Sequence, residues 1–170
     1  MPGPIFLHVA FEKREIINGI HHPRHWQLVL APEGAEHGTY YHVKVSGAGN
    51  KRITYERVIE TNRPLAGFEM NEGVAAFPAT HWTRIHELIQ SVPPQRCQSY
   101  VVAVLVRLEQ ENYIPWGTVA RKYMDKIEAR TIYERAKRDP LTKHTLNGFE
   151  AFANSNLGGL KMRGARRCCY

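Results

Sequence analysis

The chain has 170 residues, 43% of them hydrophobic and 23% charged, with three cysteines and a formal net charge of +7. That length and balance fit one globular domain with a real core and exclude collagen-like and fully disordered classes. No run approaches the roughly 18 apolar residues of a membrane-spanning helix.

The charge is unevenly placed. Residues 1–120 carry 11 basic and 11 acidic side chains, whereas residues 121–170 carry 12 and 5. A neutral body with a basic end predicts, at most, weak contact of the C-terminal region with an anionic surface. Base-reading motifs are absent, so nucleic acid is not an expected partner. Cys168 and Cys169 are adjacent, which makes a poor disulfide framework and implies a reducing compartment, the cytoplasm. The opening MPGPIFLHVAFEKRE lacks a basic leader and soon becomes charged, so it reads poorly as a secretion signal.

Alternation of apolar and polar residues predicts strands over 4–11, 26–30 and 39–45. The turn-forming APEGAEHG makes the last two a hairpin. SGAGN (46–50) is a second turn, after which 52–59 can pair back. Residues 65–78 suggest one or two short strands broken by Asn71 and Gly73.

At Thr80 the period changes. Thr80 is placed to cap a helix whose apolar face carries Trp82, Ile85, Leu88 and Ile89, ending before Pro93-Pro94. The 97–112 segment is ambiguous: four valines favour a strand, while its length and RLEQEN ending favour a helix. A mixed-charge helical pattern covers 116–138 up to Asp139-Pro140. Strands first and helices after define an α+β domain over 1–153, with 154–170 a basic, Gly-rich flexible tail.

Cys97 heads the 97–112 segment. At a helix start, unpaired N–H groups and the helix dipole stabilise a thiolate, and Arg96 adds a cationic neighbour. A thiol nucleophile needs an imidazole to manage its proton and a third group to orient that imidazole. His25 and His42 lie on the two arms of the predicted hairpin. With His25 directly opposite His42, the two rings share one face about 5 Å apart. Gln27 and Tyr40 join them there as oxyanion or substrate-lining candidates. Trp26, Leu28, Leu30, Tyr41, Val43 and Val45 then face the other way, into the core.

HWQLVL (25–30), GTYYHV (38–43) and CQSYVVAVL (97–105) together resemble the circularly permuted papain-type thiol enzymes, whose familiar branch is the lecithin retinol acyltransferase group. The resemblance implies a permuted papain-like fold with His25 as general base, His42 as orienting residue and Cys97 as nucleophile. Arg-Cys-Gln-Ser stands where that branch has Asn-Cys-Glu-His. The stretch from Pro4 to about Ile127 also resembles a family of uncharacterised fungal proteins that share these motifs and the LIQSVPP segment (88–94).

The simplest readings of other features are structural. His21, His22 and His25 in HHPRH lack a second ligand cluster, so no metal is expected. No cofactor motif is present, since GAGNKR does not precede a helix. His81 reads as structural, and Trp26, Trp82 and Trp116 as core or interface anchors. RGARRCCY faintly resembles Cys-Cys-X prenylation ends, with an unmodified tail the simpler alternative.

These readings predict a cysteine-dependent hydrolase or acyltransferase acting on an amide or ester carbonyl of a small-molecule or peptide acyl substrate. A non-catalytic binding module on the same scaffold is one alternative. An adaptor docking on nucleic acid or anionic membrane through residues 121–170 is another.

Overall fold

Alternating burial organises the strands of the computed structural model, which describes residues 3–17, 20–46 and 54–128. In chain order the strands are β1 (Ile5–Phe11), β2 (Ile16–Ile17), β3 (Ile20–His21), β4 (Trp26–Pro32), β5 (His37–Ser46), β6 (Thr54–Pro64) and β7 (Met70–Phe77). The helices are α1 (Trp82–Ser91), α2 (Cys97–Gln110) and α3 (Val119–Met124).

The chain divides into two compact units, Met1–Lys13 with Arg24–Ile127, and Arg14–Pro23 with Glu128–Tyr170. In the second unit β2 pairs antiparallel with β3, and Arg14 meets Glu128 at 3.0 Å. The expected boundary at 153/154, the basic tail, the latter part of the 116–138 helix, and Cys168 and Cys169 lie outside the described residues.

In the first unit five strands form one antiparallel sheet in the order β6-β5-β4-β1-β7. The α+β class is therefore as expected. No described helix is long and apolar enough to cross a membrane. Leu7, Val9 and Phe11 of β1 stand opposite Leu30, Leu28 and Trp26 of β4, and Leu28 stands opposite Tyr41 of β5. This set faces the helices. The Tyr41 hydroxyl bonds His86 Nδ1 of α1 at 2.6 Å, and Phe11 and Trp26 pack on Tyr123 of α3.

The opposite face carries a smaller core of Ala10, Val29 and Tyr40, covered by Leu65 and Phe68. The β4–β5 hairpin turns over 33–36, where Gly34 takes a φ of +69° that disfavours a β-carbon. β7 runs unbroken through Asn71 and Gly73, contrary to the expected interruption. Its irregularity is a register shift against β1 between Leu7 and His8, which absorbs the misfit without ending the strand.

The ambiguous 97–112 segment is helical. Val101, Val102, Val104 and Leu105 of α2 are all at most 1% exposed. Each such burial contributes about 1.5–3 kcal/mol, whereas valine in a helix costs only a few tenths. Burial wins over propensity. Thr80 does not cap α1, because residues 79–81 form a 3-10 turn first and His81 takes the cap position without a side-chain bond. At the other end of α1, the Arg57 guanidinium of β6 donates to the carbonyls of Gln90 and Val92, filling acceptors that a helix end leaves open. Trp26 is buried as expected, but Trp116 is 53% exposed and anchors no core.

α3 is held by two carboxylates. Buried Glu109 of α2 accepts from the N–H of Gly117 at 2.9 Å and of Ala120 at 2.8 Å. Glu72 of β7 accepts from the Tyr123 hydroxyl at 3.1 Å and pairs with Lys126 and Lys122. Burial raises the Glu72 pKa, but hydrogen bonds from Lys126, Lys122 and Tyr123 outweigh it and hold it at about 2.

Replacing Glu109 with Ala strands both amides and is expected to cost about 1–3 kcal/mol, read as a lower denaturant midpoint with an unchanged slope. For Glu72 the folded pKa lies below the unfolded one. Its contribution is therefore present above about pH 4.5 and is lost as pH falls toward about 2. In Glu72→Gln, thermal melts between those limits should show a shallower acid decline than the wild type.

Candidate active site

The site forms where the first turn of α2 meets the start of β4. Gln98, the second residue of α2, is buried, and its Nε2 donates to the Arg24 carbonyl at 3.0 Å. That bond places Cys97, the first helical residue, beside His25. No side chain caps α2, since Arg96 occupies the cap position without a cap bond. Of the first turn, the Gln98 N–H reaches the sulfur.

The strand supplies a further donor. Glu12 N–H donates to the His25 carbonyl at 3.0 Å. Successive amides of a strand point to opposite edges, so the Trp26 N–H points away from β1, toward the β5 side. The paired part of β4 and β5 ends at Leu28 opposite Tyr41. In the fork beyond that pair, the Trp26 N–H bonds the Cys97 sulfur, as does the N–H of Gln98.

The hairpin register differs from the expected one by two residues. Leu28 faces Tyr41, so His25 lies diagonal to His42 rather than directly opposite. An even offset preserves the face of every side chain, and the rings still meet. Their centroids are 5.3 Å apart and nearly perpendicular, with His25 Nε2 3.2 Å from His42 Nδ1. The other nitrogen of His25, Nδ1, is left to bond the Cys97 thiol. The structure thus brings together Cys97, His25 and His42.

Gln27 and Tyr40 share the imidazole face but are fully buried and otherwise engaged. Gln27 Nε2 donates to Glu12 and its Oε1 accepts from Arg63 at 3.2 Å. The Tyr40 hydroxyl donates to the Pro64 carbonyl at 2.8 Å. Both support the site rather than line it.

Electrostatics shift both partners toward their charged forms. Burial raises the Cys97 pKa, but the His25 bond and charge and the two backbone N–H groups outweigh it and bring it below the ordinary thiol value. Burial lowers the His25 pKa, but the bond to Cys97 and its charge, with a smaller contribution from Glu12, raise it above the ordinary imidazole value. His42 moves the other way: burial and the neighbouring His25 charge lower its pKa, against the pull of Glu60.

No family model, curated protein or solved structure matches the chain. The geometry therefore has to speak for itself. Among the described residues no three His, Cys, Asp or Glu side chains are grouped to hold a metal.

Sequence reading missed Glu60 and Arg63. Glu60 Oε1 lies 3.5 Å from His42 Nε2, and Glu60 Oε2 accepts from Arg63 at 2.6 Å. The signal was alternation along β6, which puts Glu60 opposite Tyr40 on the imidazole face. Ending that strand at residue 59 hid it.

Iodoacetamide should alkylate Cys97 with a pH midpoint below the roughly 8.5 of an ordinary thiol. With His25→Ala, burial acts with less opposition and the midpoint should move upward. Rate-against-pH curves, with the adduct located by mass spectrometry, check both.

Proposed function

We propose that the protein is a cysteine-dependent acyl-transferring enzyme, a hydrolase or acyltransferase acting on an amide or ester carbonyl. The observation that carries the reading is the hydrogen bond between the Cys97 thiol and His25, itself joined to His42 at 3.2 Å. A nucleophile, a proton carrier and an orienting group in series are what acyl transfer needs.

In the proposed reaction the Cys97 thiolate attacks the carbonyl carbon, and the C=O π pair moves to oxygen. The N–H of Cys97, the first of α2 and without an intrahelical acceptor, is the natural donor to that oxyanion. His25 gives its proton to the leaving amine or alcohol as the C–N or C–O bond breaks, leaving a thioester. Water, or an amine or hydroxyl in the transferase case, then loses a proton to His25 and attacks the thioester. Cys97 leaves as thiolate.

The chain order, a histidine immediately ahead of β4 and another on β5, followed by the cysteine-bearing helix, supports a permuted papain-like reading of the α+β fold and the proposed kinship with the lecithin retinol acyltransferase group. A small-molecule or peptide acyl substrate and a reducing, cytoplasmic setting belong to the same proposal, since the nucleophile must stay a thiol.

With a p-nitrophenyl acyl ester as probe, mass spectrometry should find the acyl group on Cys97. Cys97→Ala should abolish that adduct while the melting temperature stays close to wild type. His25→Ala should slow acylation by about 10²–10⁴-fold. Acylation of Cys97 no faster than in the urea-unfolded chain, and indifferent to His25→Ala, would leave a non-catalytic binding module on this scaffold.

A further inference from the structure

The geometry points to Glu60 as a positioning residue that fixes the tautomer and ring plane of His42, and through His42 those of His25. The assignment rests on the roles of Cys97, His25 and His42 proposed above.

His42 is 4% exposed, and its Nε2 is buried with no hydrogen-bond partner among the described residues. Glu60 Oε1 stands 3.5 Å away, long for a hydrogen bond but within a small side-chain adjustment of one. Catalytic contacts are often loose before substrate binds.

Glu60 is not free to swing. Its other oxygen accepts from Arg63 at 2.6 Å. The Arg63 guanidinium lies over the rings of Tyr40 at 4.7 Å and Phe68 at 5.5 Å. It also donates to Gln27, whose amide donates to Glu12. One carboxylate oxygen is tethered, and the other is aimed at the imidazole.

The proton count then selects a tautomer. When His25 is charged, its Nε2–H donates to His42 Nδ1, so neutral His42 carries its proton on Nε2. That buried N–H needs an acceptor, and Glu60 Oε1 is placed to be one. The reverse arrangement would point the bare Nε2 lone pair at a carboxylate. The charged or titratable groups facing His42 are His25 ahead of β4, Lys44 on β5 and Glu60 on β6. Lys44 Nζ sits 3.7 Å from the same Glu60 oxygen, so Glu60 separates the lysine charge from the ring.

The test uses the full chain. In the wild type, ¹⁵N shifts of His42 should show the Nε2–H tautomer. Glu60→Ala should melt near the wild type yet react with iodoacetamide at Cys97 about three- to tenfold more slowly at pH 6.5, with the midpoint moved up by as much as one unit. Glu60→Gln, which accepts a hydrogen bond without carrying charge, should fall between the two. A residue with a merely structural role would change the melt and leave the pH profile alone.

An Nδ1–H tautomer in the wild type would overturn the assignment even if both variants failed to fold. Wild-type profiles in both variants, alongside an altered profile in His25→Ala, would overturn it while sparing the thiol–imidazole pair. A profile indifferent to His25→Ala would overturn that pair and this assignment together.

Discussion

One sulfur completes two backbones at the point where α2 meets β4. The Trp26 N–H lies beyond the last β4–β5 pair, and the Gln98 N–H lies in a helical turn that no side chain caps. Each would otherwise need water or another acceptor. Both bond Cys97 instead, and a thiolate accepts such bonds far better than a thiol does. The fold and the thiol's ionisation are coupled through this junction: the unfilled ends of a strand ladder and of a helix together stabilise the thiolate form of Cys97. Move the helix start by one residue and the sulfur leaves the fork.

From that junction, charge alternates outward. Cys97 and His25 are each shifted toward the ionised form, His42 toward the neutral one, the Glu60 pKa is held below the ordinary carboxylate value despite burial, and Arg63 closes the series. Two cationic imidazoles 3.2 Å apart would repel by several kcal/mol even at an effective dielectric constant near 20. The neutral second ring is therefore a requirement of the charged first one. It also makes His42 a better orienter than a cation, because a neutral imidazole keeps one lone pair to accept from His25.

The cluster of Cys97, His25 and His42 was legible in the sequence because it depends on parity rather than on exact pairing. His25 and His42 meet despite a two-residue error in register, since an even slip leaves every side chain on its own face. Thr80 was misjudged because a Ser or Thr before an apolar period signals a cap only when the first turn is α-helical, and here a 3-10 turn intervenes. The 97–112 segment could not be decided locally: its valines favour a strand and only the surrounding core makes it a helix. Trp116 reads as a core or interface anchor, and its 53% exposure removes the core alternative, since nothing in the local pattern tells a buried indole from an exposed one. The supporting residues were hidden for a different reason. Glu60 and Arg63 lie on β6 and Glu12 just after β1, strands whose partners cannot be read from spacing alone, and each looks like an ordinary surface charge until the sheet order places it beside the hairpin.

The residue that follows Cys97 has structural work of its own. Gln98 must donate to the Arg24 carbonyl, at 3.0 Å, from a position that is 6% exposed. A carboxylate there could only accept, and would set an unpaired charge against a carbonyl oxygen and beside the thiolate. Both effects would push the helix start away from β4 and raise the thiol pKa. An amide at residue 98 thus follows from docking α2 by its first turn. The downward shift of the Cys97 pKa comes from two backbone N–H groups and the His25 imidazole, all held in place by the sheet and the docked helix start.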